Sequence, residues 1–224
     1  MFRDRTRPPS PLLPRLDPDV ALVRQYRATA SPAVFEILFR KYQTQVFSLV
    51  HRMVNGEEAY DLTQEVFVRA MRSLGGFHGD AKFRTWLLTI ARNVCLNHLR
   101  EQRLRLGLTE GSLDSEPETP GHVPEPSDTG ADVARIAETH ELQRVVDIVL
   151  SQMTPEQRLL LTLRDLQGLS YEEVAEITEL SLANVKSKLH RARLVFKTKF
   201  QPYLELVDPD ALWEPEGPER KESR

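Results

Sequence analysis

The chain has 224 residues, 40% hydrophobic and 28% charged, which is enough for one large domain or two small ones, each with a core. Its single cysteine, Cys95, excludes a disulfide framework and a cysteine-based zinc site, and fits a reducing cytoplasm. No apolar run nears the roughly 20 residues that cross a bilayer, and the start MFRDRTRPPSPLLPRLDPD lacks the apolar stretch of a signal peptide, so a soluble cytoplasmic protein with no metal or cofactor is expected.

The net charge of −3 hides a strong segregation. Residues 82–105 carry six Lys or Arg against one acidic residue, 182–200 carry six against none, and 107–132 carry seven acidic residues with no Lys or Arg. Two cationic surfaces with an anionic spacer between them suit a nucleic-acid partner. Outside the spacer, apolar residues fall at helical spacing and no alternating β-branched run reads as a strand. The predicted fold is therefore all-α: two small helical domains joined by a flexible acidic linker, the second containing a helix-turn-helix.

In chain order, residues 1–19 are Arg- and Pro-rich and read as a flexible arm. The first domain is expected over 20–106. A short helix follows the arm, from Asp19 to Ala28. Ser31-Pro32 then starts a core helix whose stripe is Phe35, Leu38, Phe39, Tyr42, Val46, Leu49, Val50 and Met53, stopped at Asn55-Gly56. The next helix, from about Glu57 to Leu74, buries Leu62, Val66, Phe67, Ala70 and Met71. It leaves Asp61, Gln64, Glu65, Arg69 and Arg72 outside.

After the loop GGFHGDAK, a helix from Phe83 packs Phe83, Trp86, Leu87, Ile90, Ala91 and Val94 inward. Its other side sets Thr89, Asn93, Asn97 and Arg100 in a row flanked by Arg84, Arg92, Arg103 and Arg105. Asparagine is a poor interior helix former, so two on one exposed face invite a functional reading, amides reading base edges while arginines hold phosphates, with a plain polar surface helix as the alternative. Residues 107–132 read as a linker, about 85 Å long when stretched and about 28 Å as a relaxed coil.

The second domain is expected over 133–203. A helix over 133–153 carries Leu142, Val145, Val146, Val149 and Leu150, and Thr154-Pro155-Glu156-Gln157 combines cap, proline and capping box. The helix it opens buries Leu159, Leu160, Leu163 and Leu166 and ends at Gly168. Ser170 with Glu173 forms a second capping box, with Val174, Ala175 and Ile177 inside, and Ser181 caps the last helix. There Leu182, Val185, Leu189, Ala192 and Phe196 form the apolar stripe of an otherwise one-signed helix. Asn184, Ser187 and His190, among its cations, can reach base edges as a recognition helix does. Residues 204–224 read as a loose acidic tail.

Four words of this sequence, DLTQEVFVRAMRSL (61–74), FRTWLLTIARNVCLNHLR (83–100), MTPEQRLLL (153–161) and LSYEEVAEITELSLANVKSKLHRAR (169–193), resemble the extracytoplasmic-function (ECF) sigma factors of bacterial RNA polymerase. They occur in that family's order. The resemblance implies a subunit that docks on core polymerase, recognises two promoter elements, promotes DNA melting and has no active site of its own. It implies that Asp61, Gln64, Glu65, Arg69 and Arg72 contact a coiled coil of the largest polymerase subunit. His78, Gly79, Asp80, Ala81 and Lys82 would form the loop that captures the minus-ten strand, with Trp86 and Asn93 beside a base pocket and Arg92, Asn97 and Arg100 along the strand.

By the same resemblance, Asn184, Lys186, Ser187, Lys188, His190, Arg191 and Arg193 would read the minus-thirty-five duplex. Many relatives carry Gly-Thr where this chain has Ala183-Asn184, so its promoter sequence is not transferable from theirs. An anti-sigma factor is expected as a further partner. The competing reading is a stand-alone helix-turn-helix regulator that binds duplex DNA without polymerase. A recombinase-like enzyme is disfavoured, because Ser31, Ser48 and Ser73 lie in helix or helix-cap contexts without a nucleophile-and-base signature.

Overall fold

The computed structural model describes residues 17–54, 56, 58–79, 81–107 and 133–204, with side chains from 142 onward in the second unit. Among the described residues there are eight α-helices and no strand. Most of the expected arm, linker and tail lies outside them, as does Asp80. The first helix, expected from Asp19, begins one residue earlier as α1 (Pro18–Thr29): Asp17, expected in the arm, is its cap, accepting from the Asp19 amide at 3.1 Å, and Pro18 fills the first turn, where no amide is needed.

α2 (Pro32–Val54) is the axis of the N-terminal unit, with α1, α3 (Glu58–Ser73) and α4 (Phe83–Arg105) packed around it. Its stripe of Leu38, Val46, Leu49, Val50 and Met53 is wholly buried. The buried Asp19 carboxylate fastens α1 to α2, accepting from Lys41 Nζ at 2.6 and 2.8 Å and from the Tyr42 hydroxyl. Burial, together with that hydrogen bond, pushes the Tyr42 hydroxyl well above its ordinary pKa. At the loop end of the bundle Phe77, Phe83 and Trp86 form a mutual aromatic cluster with centroids 5.4–5.6 Å apart.

The C-terminal unit consists of α5 (Val133–Ser151), α6 (Pro155–Leu161), α7 (Tyr171–Thr178) and α8 (Leu182–Phe200). Both predicted capping boxes form, at Thr154/Gln157 and Ser170/Glu173, and Ser181 caps α8 through the Asn184 amide. Leu163, Leu169, Val174, Ile177, Val185, Leu189 and Ala192 make the core.

Three apolar residues expected inside are exposed: Met71 at 41%, Leu166 at 43% and Leu182 at 38%. Met71 falls about 100° beyond Ala70 on α3, past the edge of the buried stripe. Leu166 ends a π-helical turn, Thr162–Leu166, whose extra residue per turn rotates it off the face set by Leu159 and Leu160. Leu182 is the first residue of α8 and has no preceding turn to lie on.

The two units are not held apart. One contiguous apolar core runs through both, from Val20 to Ala192, with α4 against α7 and α2 against α5 and α6. α4 is consequently buried over more than its predicted stripe, with Thr85, Leu88 and Cys95 also enclosed. Burial pushes the Cys95 thiol up to about 12, which leaves it unreactive.

At the centre of this junction Arg158 is 5% exposed, with no carboxylate partner among the described residues. It donates instead to Met53 O at 2.8 Å and Arg52 O at 3.3 Å on α2, and to Ser151 O at 3.0 Å and Met153 O at 3.1 Å at the end of α5. These carbonyls lie at or just past helix ends, where the negative pole of the helix dipole favours a cation. Beside it Arg52 Nε lies 3.2 Å from Asp147 Oδ1, Gln45 Nε2 donates to Gln167 Oε1 at 3.3 Å, and Gln167 Nε2 donates to the Gln45 backbone carbonyl at 3.0 Å.

Candidate nucleic-acid interface

α4 presents its polar row as the spacing predicts. With Phe83, Leu87, Leu88, Ala91, Val94 and Cys95 buried, Asn93, Asn97 and Arg100 are exposed on the outer side, and Arg100 Nη1 is 3.4 Å from Asn97 Oδ1. Thr89 is half-buried and spends its hydroxyl on the Thr85 carbonyl at 2.9 Å, so it is withdrawn from the row. His78 and Lys82 are exposed at either end of the loop, whereas Trp86 is half-buried in the aromatic cluster.

Two cations of this face are occupied by the other unit. Lys82 Nζ lies 2.8 Å from Glu173 Oε1, and Arg92 Nη1 lies 2.9 Å from Glu179 Oε1. Glu179 terminates α7 in a left-handed conformation, φ 59°, which carries its side chain out of the helix toward α4. For Glu173, burial works to raise the carboxyl, but the hydrogen bonds from Lys82 and the Ser170 amide, with the charges of Lys82 and Arg84, outweigh it. The group sits below its ordinary value. Arg84, which the sequence placed on the cationic flank, faces the junction and donates to Gln167 O at 2.7 Å and Gln45 Oε1 at 3.1 Å.

On α8 the predicted set divides in two. At about 100° per residue, Asn184, Ser187, His190 and Arg191 point away from the buried stripe of Val185, Leu189 and Ala192, whereas Lys188 and Arg193 flank it on either side. Those two are paired: Lys188 with Glu156 at 2.6 and 2.7 Å, and Arg193 with Asp165 in a two-pronged contact at 2.6 and 3.0 Å. The hydrogen bond to Asp165 holds the Arg193 guanidinium above its ordinary pKa. Lys186 is exposed, with its ammonium 5.5 Å from the Tyr171 ring centre. The expectation of a one-signed helix is thus corrected, because α6 and the π-turn bring carboxylates to both edges of the cationic face.

On α3 the predicted charged residues Asp61, Gln64, Glu65, Arg69 and Arg72 all lie on the outward side, Glu65 and Arg69 paired with each other. Alongside them runs an apolar track that the sequence analysis did not identify: Tyr60, Val68 and Met71 are 64%, 39% and 41% exposed. Their spacing of eight and three residues would have shown it, had Met71 not been assigned to the core.

Comparison with known proteins shows the family. Residues 38–105 match the family described as Sigma-70 region 2, and residues 144–194 match Sigma-70, region 4. The ECF RNA polymerase sigma-E factor of Escherichia coli (strain K12) is 35% identical over 172 residues, covering 76% of this chain and 88% of that one. The chain is an ECF sigma factor. The RNA polymerase sigma-H factor of Pseudomonas aeruginosa is 33% identical over 171 residues, with 88% of its length covered.

Two solved structures share the fold of this sigma factor. One is the sigma factor RpoE of Bartonella quintana in complex with the anti-sigma factor NepR, with TM-score 0.59 and 20% identity, covering 75% of this chain and 96% of that one. The other is CnrH in complex with the cytosolic domain of CnrY, with TM-score 0.57 and 22% identity, covering 82% and 97%. As a member of this family the protein is an RNA polymerase sigma factor that acts in transcription initiation. Among the described residues no helix is long and apolar enough to cross a membrane.

Proposed function

We propose that this sigma factor docks on a coiled coil of the largest polymerase subunit through the outward side of α3. Tyr60, Val68 and Met71 supply the apolar contact, and Asp61, Gln64, Glu65, Arg69 and Arg72 set its register. The loop 78–82 and α4 then take the single-stranded minus-ten element: a base seats near Trp86 and Asn93, and Arg92, Asn97 and Arg100 follow the strand. α8 enters the major groove of the minus-thirty-five duplex. Asn184, Ser187 and His190 read base edges, Lys186 and Arg191 hold phosphates, and Lys188 and Arg193 brace the helix from its sides.

The observation that carries this reading is the division on α8, with short polar side chains and Arg191 outward and the edge cations tied to acidic neighbours. In this reading the protein works in the cytoplasm as a binding subunit without catalysis, metal or cofactor of its own. The closed arrangement is its resting form, because Glu173 and Glu179 hold the same cations that the strand requires. Polymerase docking separates the units, and an anti-sigma factor, as in the RpoE–NepR structure, is a further partner.

Run-off transcription from a genomic promoter library, with core polymerase alone and with core plus this chain, tests the proposal. Specific transcripts that depend on both components are expected. Tight sequence-specific duplex binding by the free chain, with no effect on polymerase, would instead establish a stand-alone regulator.

A further inference from the structure

α4 begins in an unusual way. Its cap position is taken by Lys82, a residue that has no acceptor to offer the first-turn amides, and no side-chain cap bond is made there. A lysine at that end also opposes the helix dipole. The missing acceptor comes from Asp17, 66 residues upstream, whose Oδ2 accepts from the Phe83 amide at 2.7 Å. Its other oxygen, Oδ1, accepts from the Asp19 amide at 3.1 Å, so one carboxylate caps the starts of both α1 and α4.

α1 holds the rest of the loop as well. Arg27 Nη1 donates to Phe77 O at 3.3 Å where the loop begins. In the middle, Gly79 adopts φ +86°, and both Val20 methyls lie 3.6 Å from where a side chain at that position would start. The loop is therefore tied at its beginning and end to α1 and its cap, and runs close to it at Gly79, although α1 carries none of the residues expected to touch DNA.

We propose that Asp17 is a positioning residue for minus-ten strand capture: by capping α4 from a distance it releases the cap position to Lys82, whose cation can then face nucleic acid. This rests on the reading above that the loop and α4 take the strand. A local Ser or Asp cap would satisfy the helix equally well but would remove the positive charge from the loop's last residue. The remote cap lets helix start and phosphate contact coexist at one position.

The test uses holoenzyme reconstituted with core polymerase, on a promoter duplex selected by the wild-type holoenzyme from a randomised library. Permanganate reactivity of unpaired thymines reads strand capture, and thermal melting of the free chain reads stability. Asp17→Ala is expected to lower the melting temperature and to slow strand capture about tenfold, whereas Asp17→Asn, which keeps one acceptor oxygen and so can serve one helix start but not both, recovers only part of either. Lys82→Ser added to Asp17→Ala restores a local cap to α4 but not to α1, so stability returns in part while strand capture does not.

Wild-type strand capture in Asp17→Ala, or recovery of both readouts in the double variant, would overturn the proposal. Lys82→Ala and Arg92→Ala, with Asp17 intact, separate this from the underlying reading. If neither weakens strand capture, it is the assignment of α4 to the strand that fails. If both weaken it and Asp17→Ala does not, only the positioning role falls.

Discussion

Arg158 Nη1 donates to the Met53 carbonyl at 2.8 Å, and through that bond the region 4 sequence closes the end of α2, the axis of region 2. The same guanidinium serves the end of α5, so a single side chain ties two helix ends together through backbone carbonyls. Burial lowers its pKa to about 10, which leaves it charged at neutral pH.

Replacing Arg158 by Met fills part of the space but strands up to four carbonyls, at a cost of about 1–3 kcal/mol for each one left without a partner or water. Urea unfolding is expected to shift to a lower midpoint, and small-angle scattering to show a larger radius as the units separate. An unchanged radius with lowered stability would mean that the junction holds without this residue.

Glu173→Gln keeps the capping box, since glutamine serves at that position, but removes the charge opposite Lys82. The native carboxyl sits below its ordinary value, so its ionic contribution is complete above about 4.5 and is lost as the pH falls through the lower folded value. The variant should unfold more easily than wild type at neutral pH, and the difference should vanish in acid. A gap that persists undiminished at pH 3 would assign the effect to packing.

Glu179→Gln releases Arg92 from a contact whose glutamate side chain is largely exposed. Exposed pairs are worth about 0–1 kcal/mol, so stability should barely move. Binding of the free chain to a single-stranded oligonucleotide, read by fluorescence anisotropy, should rise several-fold at low salt, with a steeper salt dependence. No gain in binding would show that α7 does not gate the α4 face.

Arg191→Ala and Lys188→Ala should part company. The first is expected to weaken upstream promoter binding by holoenzyme and to flatten its salt dependence by about one unit, with normal thermal stability. The second breaks the contact with Glu156 and should lower the melting temperature while leaving the salt slope closer to wild type. Identical behaviour of the two would erase the distinction between outer and edge cations on α8.

The double variant Tyr60→Ser/Val68→Ser should lose affinity for core polymerase by at least tenfold in a co-migration assay, because both side chains are already exposed and neither supports the core. Unimpaired assembly would exclude the apolar track of α3 as the docking surface.

Helix placement, both capping boxes, the Ser181 cap and the polar rows of α4 and α8 follow from the amino-acid order alone, because each depends on residues three or four apart whose geometry the helix itself supplies. Asn93, Asn97 and Arg191 were legible for that reason. The π-turn that turns Leu166 outward left no such periodic signal. What tertiary structure decided is which charges are engaged: Lys82 with Glu173 across 91 residues, Arg92 with Glu179 across 87, Phe83 with Asp17 across 66 and Arg158 with Met53 across 105. Separations of that size are set by how two helical units pack, and a lysine bound to a phosphate and a lysine bound to a glutamate are written with the same letter.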